Sequence, residues 1–288
     1  MVVDLVMFVD VDEIMDRKNV IPEINQDKSH IIENIKCFAL DMDGTVYLGE
    51  KWIDGALDFL KRIEESGRYY VFVTNNSSKN PAVYVEKLHR MGLYVGEEKL
   101  ITSGQATICY IKENFPDKKV FLLGNPMLCE QFEQEGIKLD DKSPEVVVTA
   151  FDTSLNYDKM CAVCDFVREG LPYIATHPDF NCPTETGFIP DIGAIHEFIH
   201  ASAFRYPDCI IGKPNGYIVD YLIGRVGVDR EEIVMVGDRL YTDIAAGVNN
   251  GLKSILVLSG EAALNDVKES LVVPHLIFDS VRDIIPFL

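Results

Sequence analysis

The stretch IKCFALDMDGTVYLGEKW, from Ile35 to Trp52, is an apolar run that ends in two carboxylates followed by Gly-Thr. Its apolar part, CFAL, is continuous rather than alternating, which predicts a strand covered on both faces. Asp41 and Asp43 then stand at the edge of a buried core, where a charge without a partner is costly. The stretch therefore predicts a strand of an α/β sheet that ends at a binding or reaction site.

Short apolar runs of this kind recur along the chain, and turn residues bound each of them. They are CFALD (37–41), YYVFVTN (69–75), KLITSG (99–104), KVFLLG (119–124), EVVVTA (145–150), PYIATH (172–177), EIVMVGD (232–238), SILVLSG (254–260) and HLIFDS (275–280). Amphipathic helix patterns lie between them, such as Asp54–Ser66, which stops at Gly67. The alternation predicts right-handed βαβ units and a doubly wound parallel sheet, an α/β fold.

Composition limits the classes of partner and the location. The chain has 288 residues, 46 acidic and 27 basic, with a formal charge of −19. This charge opposes binding to nucleic acid or to an anionic membrane, so neither is an expected partner. The seven cysteines are odd in number and scattered, which favours a reduced, cytoplasmic protein. Cys161 and Cys164 form a C-x-x-C within a helical pattern, and we expect both to be buried core thiols.

Polar residues follow several predicted strands, at the sheet edge where open α/β folds bind ligands. They are Asp41 and Asp43 after the first strand, Thr74 and Asn75 after the second, Lys213 before a late helix, and Asp238 and Asp243 after the run EIVMVGD. We therefore expect these side chains to form one site.

The residue types in this set suit phosphoryl transfer through a covalent intermediate. Asp41 can attack phosphorus to form an aspartyl-phosphate, which splits one hard step into two. Asp43 is placed to protonate the leaving oxygen and then to deprotonate water. Because two anions must approach each other, the site needs a cation, and Mg²⁺ bound by Asp41 and Asp238 would supply it.

Three further residues suit the phosphate itself. Lys213 offers a positive charge, while Thr74 and Asn75 offer a hydroxyl and an amide near a predicted helix start. These groups are expected to hold the phosphoryl oxygens as negative charge develops on them.

Four motifs, DMDGT, TNNSS, GKP and GDRLYTD, occur in that order and resemble those of the haloacid dehalogenase superfamily of phosphohydrolases. The longer stretches DMDGTVYLG, VFVTNNSS, ATHPD and GDRLYTDIAAG look like its 4-nitrophenylphosphatase-like branch. The resemblance implies Asp41 as nucleophile and Asp43 as acid/base, with the main-chain carbonyl of Asp43 on Mg²⁺. It also implies Asp238 as a metal ligand and Asp243 as support for the metal site.

The resemblance also implies a division into domains. Residues 34–103 and 206–288 form a Rossmann-like catalytic core, and residues 104–205 form a smaller inserted α/β cap domain. Residues 1–33 form an amino-terminal arm, which the family does not explain. This arm contains a second D-x-D, Asp10 and Asp12, which lacks the following Gly-Thr and is expected to be solvated.

The segment THPDFNCPTETGFIPDIGA (176–194) is rich in Pro, Gly and Thr and is predicted to be a long functional loop of the cap. Its candidate substrate contacts are His177, Asp179, Asn181 and Asp191.

The expected function is a Mg²⁺-dependent phosphatase for small phosphomonoesters of aryl, sugar, nucleotide or glycolate type. A phosphomutase and a phosphate-binding regulatory protein without turnover remain as alternatives. A signalling receiver is disfavoured, because an acid/base at Asp43 would speed loss of the phosphoryl group. The expected partner is a small phosphorylated metabolite, and a homodimer through the cap is left open.

Overall fold

The computed structural model describes residues 28–184 and 187–288. These residues form two compact units. Unit 1 contains the described residues up to Leu48, together with Trp52–Tyr70 and Val228–Leu288, and unit 2 contains Gly49–Lys51 and Val71–Gly227. The carboxylates of Asp10 and Asp12 lie outside the described residues. The core, cap and arm boundaries at residues 34, 104 and 206 stay a prediction.

The strands are β1 Cys37–Leu40, β2 Tyr47–Leu48, β3 Lys51–Trp52, β4 Tyr69–Thr74, β5 Leu100–Thr102, β6 Lys119–Leu123, β7 Lys138–Leu139, β8 Val146–Thr149, β9 Tyr173–Ala175, β10 Asn181–Thr184, β11 Gly187–Pro190, β12 Cys209–Ile210, β13 Ile233–Gly237, β14 Lys253–Val257 and β15 Leu276–Phe278. The helices are α1 Lys28–Glu33, α2 Ala56–Glu65, α3 Pro81–Arg90, α4 Ser103–Asn114, α5 Pro126–Gln134, α6 Tyr157–Arg168, α7 Ile192–Ala203, α8 Gly216–Val226, α9 Ala245–Asn249 and α10 Leu264–Glu269. Single 3₁₀ segments occur at Glu97–Lys99, Arg230–Glu232 and Val281–Phe287, and a π-helical turn at Leu240–Ile244.

Unit 1 is built on a parallel sheet with the strand order β15-β14-β13-β1. Every residue of β1 and β13 is buried, as the continuous apolar runs predicted. Leu40 pairs with Val236 across these two strands, and the Asp41 amide extends the ladder by donating to the Val236 carbonyl at 2.9 Å. Asp41 and Asp238 therefore leave the sheet side by side, because their strands end in register.

Unit 2 contains the end of β4, paired in parallel with β5, and a second parallel sheet with the order β12-β9-β8-β6-β7. Val147, Val163, Tyr173 and Ile199 pack in the core between this second sheet and helices α6 and α7. The parallel sheets with their alternating helices confirm the predicted α/β fold.

The segment 176–194 is more ordered than the sequence predicted. Residues of β10 and β11 pair antiparallel, with Asn181 opposite Pro190 and Pro183 opposite Phe188. Proline fits here because a two-stranded ribbon has only edge strands, on which a missing N–H is tolerated. The prediction of a long loop is therefore wrong for these residues.

Two smaller expectations also need correction. The run KLITSG ends as a strand at Thr102, because the Thr102 side chain and Gln105 form a capping box that starts α4 at Ser103. Cys164 is buried on α6, whereas Cys161 is exposed, so only one of the two is a core thiol. In the described ranges, none of the helices has the length and apolar character needed to cross a bilayer.

Candidate active site

Three carboxylates of unit 1 come together at the carboxyl ends of β1 and β13. Each of Asp41, Asp238 and Asp243 places one oxygen within 4.8 Å of the others. Asp41 follows β1, Asp238 follows β13, and Asp243 lies in the π-helical turn Leu240–Ile244. Asp238 and Asp243 are buried, while Asp41 is partly exposed. Asp41 and Asp238, which the sequence predicts to share a site, thus lie close together.

Two main-chain amides and one side-chain hydroxyl hold the two buried carboxylates in place. The Glu261 amide donates to Asp238 Oδ2 at 2.8 Å, and the Thr45 hydroxyl lies 3.4 Å from Asp238 Oδ1. The Arg239 amide donates to Asp243 Oδ2 at 3.2 Å. Charge-assisted bonds of this kind fix both position and orientation of a carboxylate.

Glycines make room for the Asp238 carboxylate. Gly44 has φ +88°, and a Cβ built there would lie 2.8 Å from Asp238 Cγ. A Cβ at Gly260 would lie 2.7 Å from Asp238 Cβ. The Gly-Thr after D-x-D thus has a packing reason, because Gly44 and Thr45 both contact Asp238. Ser259 donates to the Gly44 carbonyl at 2.8 Å and completes this wall.

The cluster carries excess negative charge. Burial, together with the Asp243 carboxylate, raises the pKa of Asp238 to about 6. Burial alone would lower the pKa of Arg239, but the carboxylates around it, with Asp41 first, raise that pKa above its ordinary value. Arg239 also forms an ion pair with Glu261, whose Oε2 lies 2.9 Å from Arg239 Nε.

The donor set fits a small divalent cation. Its groups are all oxygens, the ligands that Mg²⁺ prefers, and burial together with the Asp243 carboxylate raises the pKa of Asp238, so a cation bound there would offset an unfavourable negative charge. Asp41, Asp238 and the main-chain carbonyl of Asp43 are the predicted ligands. Asp43 is partly exposed, and its main chain forms an isolated β-bridge with Tyr47. Asp243, predicted only as support, lies as close as the other two carboxylates.

Unit 2 brings together the residues predicted to hold phosphate. Thr74 ends β4, and its hydroxyl accepts the Asn76 amide at 3.1 Å. Lys213 is 2% exposed, and its ammonium donates to the Val73 carbonyl at 2.9 Å. The Asn75 side chain bonds to the main chain of Lys213 at two points. Their contact with a phosphate stays a prediction.

His177 belongs to a buried network rather than to an exposed surface. Its Nε2 lies 2.9 Å from Asp191 Oδ1, and its Nδ1 lies 2.9 Å from the Thr176 hydroxyl. Burial opposes its charged form, but Asp191 and Asp179 outweigh that effect and raise its pKa. Asp191 also caps α7 through the Ile192 amide at 2.6 Å. This pair therefore joins the two ends of the segment that contains β10 and β11.

The complete burial of His177 argues against direct contact with a substrate. Asp179 is partly buried and Asn181 is exposed, and their substrate roles stay predictions.

Sequence reasoning missed three residues around Asp238. Ser259 donates to the Gly44 carbonyl, Gly260 leaves space for the Asp238 side chain, and the Glu261 amide donates to its carboxylate. A signal was present, because Ser259-Gly260 ends the run SILVLSG at the same sheet edge that identified Asp41.

This α/β fold with a buried carboxylate cluster at the strand ends is that of a haloacid dehalogenase-like hydrolase, and the chain belongs to that family. A haloacid dehalogenase-like hydrolase model matches residues 38–138, and a HAD-hydrolase-like model matches residues 210–284. The family resemblance of the four motifs is confirmed.

Particular relatives are phosphatases by name. An acid sugar phosphatase of Staphylococcus aureus (strain MRSA252) is 35% identical over 255 residues, which cover 88% of this chain and 98% of the relative. The structure of a 4-nitrophenylphosphatase from Thermotoga maritima is similar with a TM-score of 0.86 at 42% identity, covering 89% of this chain and 98% of that one. A p-nitrophenyl phosphatase from Archaeoglobus fulgidus gives a TM-score of 0.83 at 29% identity, covering 88% and 99%. The predicted class of enzyme, a phosphoric monoester hydrolase, is confirmed.

Proposed function

We propose that this protein is a Mg²⁺-dependent phosphatase that hydrolyses small phosphomonoesters through an aspartyl-phosphate on Asp41. The observation that supports it best is the position of Asp41, a partly exposed carboxylate within 4.8 Å of the buried Asp238 and Asp243. Such a site can hold a cation beside a nucleophile. The relatives named acid sugar phosphatase and 4-nitrophenylphosphatase favour sugar and aryl phosphates over nucleotide or glycolate phosphates as first substrates to test.

The covalent steps assign one task to each of two carboxylates. A carboxylate oxygen of Asp41 attacks phosphorus, the bond from phosphorus to the substrate oxygen breaks, and Asp43 gives its proton to that leaving oxygen. Asp43 then takes a proton from water, whose oxygen attacks phosphorus; the bond from phosphorus to the Asp41 oxygen breaks, which releases inorganic phosphate and restores the Asp41 carboxylate. Bound Mg²⁺, held by Asp41, Asp238 and the Asp43 carbonyl with Asp243 in support, would offset the negative charge of the two reacting anions.

Thr74, Asn75 and Lys213 are proposed to form the phosphate site. The order of the motifs supports their action on the substrate of Asp41, and the two bonds between the Asn75 side chain and the Lys213 main chain support a common task for those two residues. Burial of Lys213 strengthens this role, because an ammonium attracts an anion more strongly where water is excluded.

The remaining expectations stand as proposals. The charge of −19 argues against nucleic acid or an anionic membrane as the ligand, and the relatives named phosphatases favour a small phosphorylated metabolite. Pairing through the cap and a cytoplasmic location stay predictions.

The test is release of phosphate from 4-nitrophenyl phosphate and a panel of sugar phosphates with Mg²⁺. We expect Asp41→Asn to lower kcat by roughly a thousandfold or more, and EDTA to abolish turnover until Mg²⁺ is restored. Asp58→Asn, which removes an exposed carboxylate on α2, serves as the matched control and should leave kcat unchanged. Equal turnover in Asp41→Asn and the native protein, or turnover indifferent to EDTA, would overturn the proposal. Transfer of phosphate to an added hydroxyl compound instead of water would indicate a mutase.

A further inference from the structure

The side-chain amide of Asn75 pairs with both polar groups of the Lys213 main chain. Asn75 Oδ1 accepts the Lys213 N–H at 2.7 Å, and Asn75 Nδ2 donates to the Lys213 carbonyl at 2.9 Å. The pairing fixes the orientation of the amide, because only its oxygen can accept an N–H and only its nitrogen can donate to a carbonyl. Both residues are buried, with 5% and 2% exposure.

A second acceptor lies within reach of the other N–H of the Asn75 side-chain amide. Asn75 Nδ2 also lies 3.3 Å from Asp179 Oδ1. A side-chain amide nitrogen has two N–H groups, and here two acceptors lie within reach of it. The amide oxygen is an acceptor and repels an anionic oxygen. The Asn75 side chain therefore has its donors engaged with protein groups rather than with a phosphate.

Surrounding residues hold this arrangement from two other sides. The Ser103 hydroxyl donates to the Asn75 carbonyl. A Cβ built at Gly212 would lie 2.6 Å from Asn75 Oδ1 and 2.8 Å from His177 Cβ, so the glycine before Lys213 is needed for the amide to reach the lysine. Three separate parts of unit 2 thus meet at one side chain.

We propose that Asn75 is a positioning residue, whose side chain holds the main chain of Lys213 and acts on the phosphate only through that lysine. The catalytic importance of Lys213 rests on the proposed function, whereas its attachment to Asn75 does not. A lysine is a point charge on a flexible stem, so anchoring its main chain limits the positions that the ammonium can take. Through Asp179 the same amide also connects Lys213 to the segment that precedes β10.

A double-mutant cycle tests whether Asn75 acts through the lysine. The substrate is 4-nitrophenyl phosphate with Mg²⁺, and the variants are Asn75→Ala, Lys213→Ala and both together. We expect Asn75→Ala to lower kcat/KM by roughly 10–100-fold when Lys213 is present and by less than about threefold when it is replaced. If Asn75 bound the phosphate independently of Lys213, its loss would cost the same factor in both backgrounds, and the proposal would be wrong.

Amide hydrogen exchange gives a readout that needs no activity. In Asn75→Ala the Lys213 N–H should lose its protection, while the Gly212 N–H, which donates to the Thr176 carbonyl at 2.8 Å, should keep it. Asn80→Ala is the matched control, because it removes the cap bond to the Val83 amide at the start of α3 without touching Lys213. It should leave both kcat/KM and the exchange of Lys213 unchanged.

Asn75→Asp provides a second test of the proposal if the alanine variant does not fold. Aspartate can still accept the Lys213 N–H but cannot donate to the Lys213 carbonyl, so exchange protection should remain while kcat/KM falls. Unchanged protection of the Lys213 amide in a folded Asn75→Ala variant, or full activity of Asn75→Asp, would overturn the proposal. If the native protein releases no phosphate, the proposed function fails, and the exchange result still decides the role of Asn75.

Discussion

Replacing Asp238 by asparagine should stabilise the metal-free protein and remove its stabilisation by Mg²⁺. Asp238 is 2% exposed, and burial together with Asp243 raises its pKa to about 6 from the ordinary 3.8. Because the folded state holds this proton more tightly than the unfolded state does, stability falls as the pH rises between these two values. Above pH 6 the ionised carboxylate therefore destabilises the folded protein.

The size of the effect follows from the two pKa values and the lost hydrogen bond. The difference of about two pKa units corresponds to about 3 kcal/mol at pH 8. An asparagine nitrogen cannot accept a bond, so with the Glu261 N–H on Oδ1 the Thr45 hydroxyl must turn to accept instead of donate, at a cost of about 1 kcal/mol. We expect a net gain of about 2 kcal/mol in the free energy of unfolding at pH 8, falling below about 1 kcal/mol at pH 5, where most of the native carboxylate is already protonated.

Urea unfolding measures this gain. The native protein and Asp238→Asn would be compared in EDTA at pH 8 and pH 5, and again in excess Mg²⁺ at pH 8. Mg²⁺ should stabilise the native protein by RT ln(1 + [Mg²⁺]/Kd) and leave the variant unchanged. Asp58→Asn, on the exposed face of α2, should differ from the native protein by only a few tenths of a kcal/mol. A variant that is less stable than the native protein in EDTA at pH 8, or that responds equally to Mg²⁺, would refute the reasoning.

Two other substitutions test the packing around Asp238 in unit 1 and the buried His196 in unit 2. Gly44→Ala should lower the free energy of unfolding by about 1–3 kcal/mol and should also lower Mg²⁺-dependent turnover. The reasons are that φ +88° is strained for alanine and that the added Cβ meets the Asp238 carboxylate. Native Mg²⁺ affinity in this variant would contradict the packing argument. His196 is buried, its Nε2 lies 3.0 Å from the Thr149 hydroxyl, and burial lowers its pKa to about 3. The unfolded state then binds more protons between pH 6.5 and 3, so stability falls with falling pH, and His196→Gln should reduce this slope by about 1 kcal/mol per pH unit. Parallel stability curves for the native protein and His196→Gln from pH 7 to 5 would show that His196 does not titrate in this way.

The amino-acid sequence was sufficient to predict the α/β fold and to place Asp41 and Asp238 close together. Buried parallel strands produce continuous apolar runs, and their carboxyl ends share one edge, so the residues after each run can be assigned to that edge. The same reasoning could have included Ser259-Gly260, which also follows such a run.

Local patterns were insufficient where pairing depends on distant residues. The antiparallel pairing of β10 with β11 is hidden by their Pro and Gly content, because an edge ribbon tolerates residues that a central strand excludes. His177 likewise pairs with Asp191, 14 residues further along the chain, and this contact arises only when the segment folds back on itself.

Asn75 shows, within a single residue, what the sequence determines and what the tertiary structure decides. Its place after a strand, next to Thr74, was enough to predict that it belongs to a phosphate site. Its partner is the main chain of Lys213, 138 residues further along the chain, together with Asp179. A side-chain amide carries the same donors and acceptors wherever it occurs, so its sequence position identifies its chemistry. Which groups it binds depends on the tertiary fold, because only folding brings the buried lysine and the segment before β10 within hydrogen-bond distance.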